Sequence, residues 1–345
     1  MSDPVLELKD VSKYYRVGRG LFGTKKMLRA LQPLSFAVAR GEILSIVGES
    51  GCGKSTLGKL MSFVTPVTTG EVTVDGKTVH SLTDRTGRDV RRAVQIVHQD
   101  PYAALNPRKT VGSILITPIV ANHLGNRQEA KRRAVELLEL VGLHPAANYL
   151  GKYPFELSGG QRQRVVIARA LTVNPKVIVA DEAVSMIDVS LRQSILTTLK
   201  DLRTRLGVAV VFITHDLALA RHFSAGHNTM VMYAGQIVEY GPTEEVIENP
   251  RHPYTAILRS TVLDPDPDVV HDSGLKALPG ELPDLNVEIP GCPFVNRCPL
   301  ASDICHTHQP HLQKDLTGRS VACHTPIEWS DVSGGEMLAS ATLFD

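Results

Sequence analysis

The sequence predicts an α/β fold built around a mostly parallel sheet, and three observations carry that expectation. Strand-length apolar runs alternate with helix-length amphipathic stretches through much of the 345 residues. One such run, residues 43–47, leads straight into a glycine-rich turn followed by a helix start. Another, residues 177–182, ends in a pair of carboxylates, at the strand end where open α/β sheets present ligand-binding groups.

The elements follow in order. Up to about residue 99, β-branched runs at 5–8, 34–38, 43–47 and 71–75 are separated by turn signals such as Asp75-Gly76, and these predict strands. From about 100 to 158 the pattern is helical. In 127–141, Ala130, Ala134, Val135, Leu137, Leu138 and Val141 fall along one face, and Gly142 ends the helix. From 159 to about 240, helices over 161–171 and 191–206 alternate with strands over 177–181 and 208–214, the order of parallel strands joined by crossovers. Past Asn249 the chain is rich in Pro, His and Cys and loses its periodicity. The expected organisation is a domain over 1–249, with its helical part at about 100–158, then a small loop-dominated, Cys-rich extension over 250–325 and a flexible tail over 326–345.

Composition narrows the function classes. With 37 basic against 36 acidic residues and a net charge of +1, the chain has no broad electrostatic surface for a polyanion, so nucleic acid is not expected as a partner. Its apolar runs are strand-sized, far short of the ~18 residues of a membrane span. Met1-Ser2-Asp3-Pro4 begins no signal-like segment, which predicts a cytoplasmic location.

The chemistry is concentrated in two motifs. Gly48-Glu49-Ser50-Gly51-Cys52-Gly53-Lys54-Ser55-Thr56 matches G-x-x-x-x-G-K-[ST] in the strand-to-helix setting a phosphate-binding loop needs. Its glycines let backbone N–H groups surround phosphates at a helix start. Lys54 would reach the β and γ phosphates, and the Ser55 hydroxyl would join a Mg²⁺ shell. A plain glycine turn would need neither group. Downstream, Asp181 and Glu182 close the buried run 177–181. Asp181 is expected in the Mg²⁺ shell and Glu182 against an attacking water. Between the two motifs lies Leu157-Ser158-Gly159-Gly160-Gln161, a hydroxyl and two glycines opening a helix, which is a second anion-binding arrangement.

On these three motifs the chain resembles the nucleotide-binding subunits of ABC transporters, whose signature is LSGGQ. The resemblance spans roughly residues 5–241 and implies a P-loop domain with a mixed sheet core, an antiparallel β subdomain and a helical subdomain. It also implies a head-to-tail dimer in which ATP lies between Lys54 of one subunit and Ser158, Gly159, Gly160, Gln161 and Asp188 of the other. Residue by residue, Tyr15 resembles the aromatic that stacks on adenine, with Tyr14 its rival. Gln99 resembles the residue touching metal and water, and His215 the γ-phosphate switch. There are departures: Ala183 stands where the family usually has Pro, Met186-Ile187-Asp188 replaces Ala-Leu-Asp, and His98 stands where many relatives carry Phe. None removes an acid or a base.

The tail resembles the C-terminal extension of ATP-binding subunits from oligopeptide and dipeptide importers, through Asn249-Pro250-Arg251-His252-Pro253-Tyr254 and the cysteines Cys292, Cys298, Cys305 and Cys323. A reducing compartment disfavours disulfides among these four. Their C-x5-C-x6-C-x17-C spacing lacks the C-x2-C of most structural zinc sites and suits a cubane cluster. The resemblance implies a [4Fe-4S] cluster there. Zinc, using His306, His308 or His324, and an unmetallated or oxidised tail remain the alternatives. The implied function is the ATPase subunit of an importer for oligopeptides, dipeptides or similar solutes, on the cytoplasmic face of the membrane, with oligosaccharides or nickel chelates as the alternative cargo. Its implied partners are a second, paralogous ATPase subunit, two transmembrane permeases and an extracytoplasmic solute-binding protein. The rival class is a soluble ABC ATPase of translation or repair, which usually carries two cassettes or a long coiled coil.

Overall fold

A computed structural model of the chain describes residues 3–17, 26–79, 85–260, 275–276, 278–315 and 318–328. Residues 329–345, most of the expected tail, lie outside the described residues.

The strands, in chain order, are β1 (Pro4–Val17), β2 (Lys26–Ala39), β3 (Ile43–Val47), β4 (Thr69–Val74), β5 (Lys77–Thr78), β6 (Val94–Val97), β7 (Val177–Asp181), β8 (Ala209–Ile213), β9 (Asn228–Tyr233), β10 (Gln236–Pro242), β11 (Gln313–Lys314) and β12 (Ser320–Val321). They form two sheets. One is antiparallel, in the order β2-β1-β4-β5; the other has eight strands in the order β11-β12-β10-β9-β3-β8-β7-β6. Its five strands β9, β3, β8, β7 and β6 run parallel, so their C-terminal ends share one edge.

Every position of β3, β7 and β8 is buried, as expected for parallel strands covered on both faces. Alternate side chains feed two cores. Ile178, Ala180, Val210 and Phe212 pack with the helical region, while Val177, Val179, Val211 and Ile213 pack under the antiparallel sheet. The helix Arg127–Leu140 buries Ala130, Ala134, Leu137 and Leu138, and Gly142 takes φ 76 just past its end.

Two predicted strands prove much longer than their apolar runs. Residues 5–8 and 34–38 lie inside β1 and β2, whose pairing continues past Asp10 (φ 48) through a register shift between Leu8 and Val11. A bulge there lets the strand run on beyond its apolar stretch. Asp75 and Gly76, both at positive φ, do form the tight turn between β4 and β5.

Residues 278–315 and 318–328 are dominated by loops, but they pack on the main body. β12 pairs with β10, and Cys292 and Phe294 share a buried cluster with Val47, Leu217, Tyr233 and Tyr254. Among the described residues no helix is long and apolar enough to cross a membrane.

Candidate functional site at the sheet edge

The loop after β3 is shaped by glycines at conformations other residues avoid. Gly48 (φ 152) and Gly53 (φ 107) have no room for a side chain. A Cβ on Gly48 would lie 2.2 Å from the Met232 carbonyl oxygen, and one on Gly53 would lie 2.8 Å from that of Ala30. The helix Lys54–Met61 follows immediately. Lys54 is buried, and its Nζ donates to the carbonyls of Gly48 at 2.7 Å and Glu49 at 2.9 Å. The ammonium is thus held across the loop it belongs to. Cys52 is buried, its thiol pushed above the ordinary range by desolvation; Ser50 and Gly51 lie at the exposed rim.

β7 and β8 bring their terminal residues to the same edge. The Ser55 hydroxyl donates to Asp181 Oδ1 at 3.1 Å, so two hard oxygen ligands stand side by side, a donor set that suits Mg²⁺. Burial raises the Asp181 carboxyl above its ordinary range, with the Ser55 hydrogen bond opposing the shift. Glu182 turns the chain at φ 48, and its Oε1 stands 3.5 Å from Nδ1 of the largely exposed His215. A carboxylate and an imidazole at this distance can hold and pass a proton.

The other predicted residues are less tightly drawn in. Gln99 is exposed beyond β6 at the same edge, and among the described residues no hydrogen bond joins it to Ser55 or Asp181. His98, beside it, is close enough for its charge to be felt by Asp181, a proximity sequence reading did not anticipate. Tyr15 is half-buried on β1 opposite Leu28, with Lys13 Nζ 5.0 Å from its ring centroid; Tyr14 pairs with Arg29.

Residues 158–161 belong to the helical side. Ser158 caps the helix Gly159–Leu171, accepting from Gln161 N at 3.3 Å while Gln161 Oε1 accepts from Ser158 N at 3.0 Å. Gly160 is confined by Leu191, but a Cβ on Gly159 would meet nothing within 4 Å, so packing within this chain does not call for a glycine there. Asp188, exposed, opens the helix Val189–Leu206 with no side-chain cap.

Comparison with known proteins decides the family. The model for the ABC transporter family matches residues 31–185, and that for the oligopeptide/dipeptide transporter C-terminal region matches 238–305. The dipeptide transport ATP-binding protein DppF of Haemophilus influenzae is 42% identical over 93% of this chain and 96% of its own length. The chain belongs to the ABC transporter ATP-binding proteins of the oligopeptide/dipeptide group. The oligopeptide transport ATP-binding protein AppF of Bacillus subtilis is 40% identical, over 93% and 97% of the two chains. Among solved structures, the ATP-binding cassette MJ0796, a dimer in a post-hydrolysis state bound to ADP and Pi, matches with a TM-score of 0.60 and 31% identity. It covers 69% of this chain and 98% of that one. As a member of this ABC family the chain is an ATPase subunit, and binding of ATP and Mg²⁺ is expected of it.

A second cluster of chemically distinctive groups lies in the matched C-terminal region. Cys292, Cys298, Cys305 and Cys323 line one cavity of ≈ 20 Å³, with His252 and His324 also on its wall. His306 and His308 lie outside that wall and are exposed. Burial pushes the Cys298 thiol up to about 11 and that of Cys323 up to about 12. His252 is fully enclosed, its ring pushed down to about 3 by desolvation. The donor chemistry suits a soft metal, but a space of this size holds about one water molecule. Among the described residues no group of His, Cys, Asp or Glu is arranged to hold a metal ion. The iron–sulfur expectation therefore finds the right side chains gathered in a cavity too small for a cubane as packed.

Proposed function

We propose that this chain is the ATP-hydrolysing subunit of an importer for oligopeptides, dipeptides or similar solutes, bound peripherally at the cytoplasmic face of the membrane. The observation that carries the reading is the paired contact at the sheet edge, Ser55 with Asp181 and Glu182 with His215, beside the Lys54 loop. The peptide substrate is supported by the names of the relatives, which are dipeptide and oligopeptide transport proteins.

In this reading the backbone N–H groups of Gly51, Cys52 and Gly53 and the start of the helix Lys54–Met61 hold the phosphates, with Thr56 beside them and Tyr15 against the base. Lys54 exchanges its carbonyl partners for β- and γ-phosphate oxygens. Ser55, Asp181 and Gln99 would hold Mg²⁺, which when bound would supply charge neutralisation for the phosphates. Glu182 orients the attacking water and accepts its proton, and His215 donates to the γ-phosphate. Ser158, Gly159, Gly160, Gln161 and Asp188 serve the site of a second ATPase subunit. The open space at Gly159 supports this, because a partner's phosphate could approach its N–H closely. By linkage, ATP that tightens this interface favours closure and hydrolysis reverses it.

Exposed aromatics on the helical region, Tyr102, Tyr153 and Phe155, offer a docking surface to two permease subunits; Tyr153 and Phe155 stack at 5.5 Å. A paralogous ATPase and an extracytoplasmic binding protein complete the proposed assembly. The four cysteines are proposed to carry a [4Fe-4S] cluster, supported by their convergence on one cavity and requiring its walls to open.

The test is mass spectrometry of proteins that co-purify with the chain from gently solubilised membranes, with iron and acid-labile sulfide measured on the same anaerobic sample. Two polytopic subunits, a second ATPase and a solute-binding protein are expected, with iron and sulfide near four each per chain. Recovery with ribosomal or repair proteins instead would overturn transport. Absence of iron and sulfide would overturn the cluster alone.

A further inference from the structure

The phosphate-binding loop is gripped from outside the nucleotide core by residues of the C-terminal region. Glu49, the second residue of the loop, donates its backbone N–H to Tyr254 Oη at 2.8 Å. Its carboxylate takes both arms of Arg297, Nη1 at 2.8 Å and Nη2 at 3.1 Å, a two-pronged pairing across 248 residues of sequence. Its carbonyl holds Lys54 Nζ at 2.9 Å. Every polar group of Glu49 is therefore engaged, two from the C-terminal region and the carbonyl from within the loop, by Lys54 and by the Cys52 N–H at 3.3 Å. Leu282 packs against the buried cluster that includes Val47 and Tyr254.

The residues that make this grip adjoin in sequence residues that line the cysteine cavity. Arg297 ends the short helical turn Val295–Arg297 and directly precedes Cys298; its own N–H bonds the Phe294 carbonyl at 2.9 Å. Phe294, two residues after Cys292, lines the cavity and packs its ring on Tyr233 and Tyr254 at 5.2 and 5.4 Å. Tyr254 stands two residues beyond His252, whose ring lines the same cavity. Arg297 Nη1 also reaches Tyr233 Oη at 3.3 Å. Desolvation by these rings strengthens the ion pair relative to one in open water: the side chains of Arg297 and Glu49 are 16% and 33% exposed.

We propose that Arg297 and Tyr254 are positioning residues for the nucleotide site, fixing Glu49 and, through its carbonyl, the Lys54 ammonium, so that phosphate affinity depends on the packing around the four cysteines. Two physical effects act together. The fork of Arg297 fixes the backbone that carries Lys54, and it neutralises a carboxylate that would otherwise sit unpaired beside a polyphosphate. Tyr254 anchors the same residue by its N–H, which turns that N–H away from the phosphates and leaves the following ones to receive them. Changes in the cysteine cavity reach the loop by the shortest route available, one residue from Cys298 to Arg297.

This inference rests on residues 48–56 being the nucleotide site, and the experiment separates the two claims. ADP with Mg²⁺ is titrated calorimetrically into the full-length chain and into Lys54→Ala, Arg297→Met, Glu49→Gln and the Arg297→Met/Glu49→Gln pair, with melting temperatures recorded for each. Arg297→Met is expected to weaken ADP about tenfold in the natural background and less than about threefold beside Glu49→Gln, because the carboxylate it restrains has then lost its charge. KM for ATP is expected to rise more than kcat falls. Arg297→Lys, which keeps the charge without the fork, should fall between, and it serves as the readable variant if Arg297→Met melts early. Wild-type affinity in Arg297→Met, or an equal loss in both backgrounds, would overturn the proposal while leaving the site intact. Unchanged ADP binding in Lys54→Ala would overturn the site reading itself.

Discussion

The phosphate-binding loop and the cysteine cavity each gather chemically distinctive groups, yet they are built in opposite ways. The loop draws on nine consecutive residues, most of its chemistry is backbone, and it is mounted on a buried parallel strand. The cavity draws its thiols from four places along a chain of short elements, held by rings and by the short strand β12. A site made of consecutive backbone groups is rigid before its ligand arrives. One made of side chains on loops closes on itself: burial raises the thiols of Cys292, Cys298 and Cys323, and its space shrinks to about a water molecule. The contact between the two, Glu49 with Arg297, means the softer region bears on the stiffer one.

The largest effect that would break this comparison is on the chemical step. Glu182→Gln should lower ATP turnover by about 10²- to 10⁴-fold while nucleotide still binds, because the glutamine cannot take a proton from water. Turnover at the wild-type rate would move the water-activating group elsewhere at the sheet edge. Ser158→Asn should lower turnover by at least about tenfold. Asn keeps the helix cap but enlarges the surface presented to a second subunit, so ADP binding by the isolated chain should stay within about twofold. Equal loss of binding and turnover would mean residues 158–161 act within one chain. The smallest effect concerns the cavity. Because burial raises Cys298 to about 11 and Cys323 to about 12, thiolate is suppressed below those values and grows only as pH approaches them. In metal-free folded protein at pH 8, iodoacetamide should label both at least about tenfold more slowly than in denaturant, the gap narrowing above pH 10. Equal rates would show the thiols open to solvent.

How much was legible follows the same division. The loop, the Asp181-Glu182 pair and the caps around Ser158 were readable because each motif is local and its residue types are dictated by phosphate, metal or helix-end chemistry. The strands 43–47 and 177–181 were readable to the residue because parallel strands buried on both faces are continuous apolar runs. β1 and β2 were not, because their length depends on partners that carry the ladder past a bulge at Asp10. The nearness of His98 to Asp181 was missed although His98 adjoins Gln99; only the pairing of β6 with β7 sets the two strand ends side by side. Arg297 and Tyr254 carried no signal toward Glu49 at all, standing more than 200 residues away in a segment without periodicity.

By itself, then, the sequence placed a lysine, a hydroxyl, two acids and a histidine in the local patterns from which the nucleoside triphosphate site is proposed. Tertiary structure alone decided how those groups are held. Ser55 meets Asp181, and Glu182 meets His215, because parallel pairing puts the ends of β3, β7 and β8 on one edge. The C-terminal region reaches the loop because β12 adds to β10 and the rings of Tyr233, Tyr254 and Phe294 need one another to leave water. Local chemistry is written in neighbouring residues. Long-range support is a by-product of burying surface, which fixes which faces must meet but leaves no spacing to read along the chain.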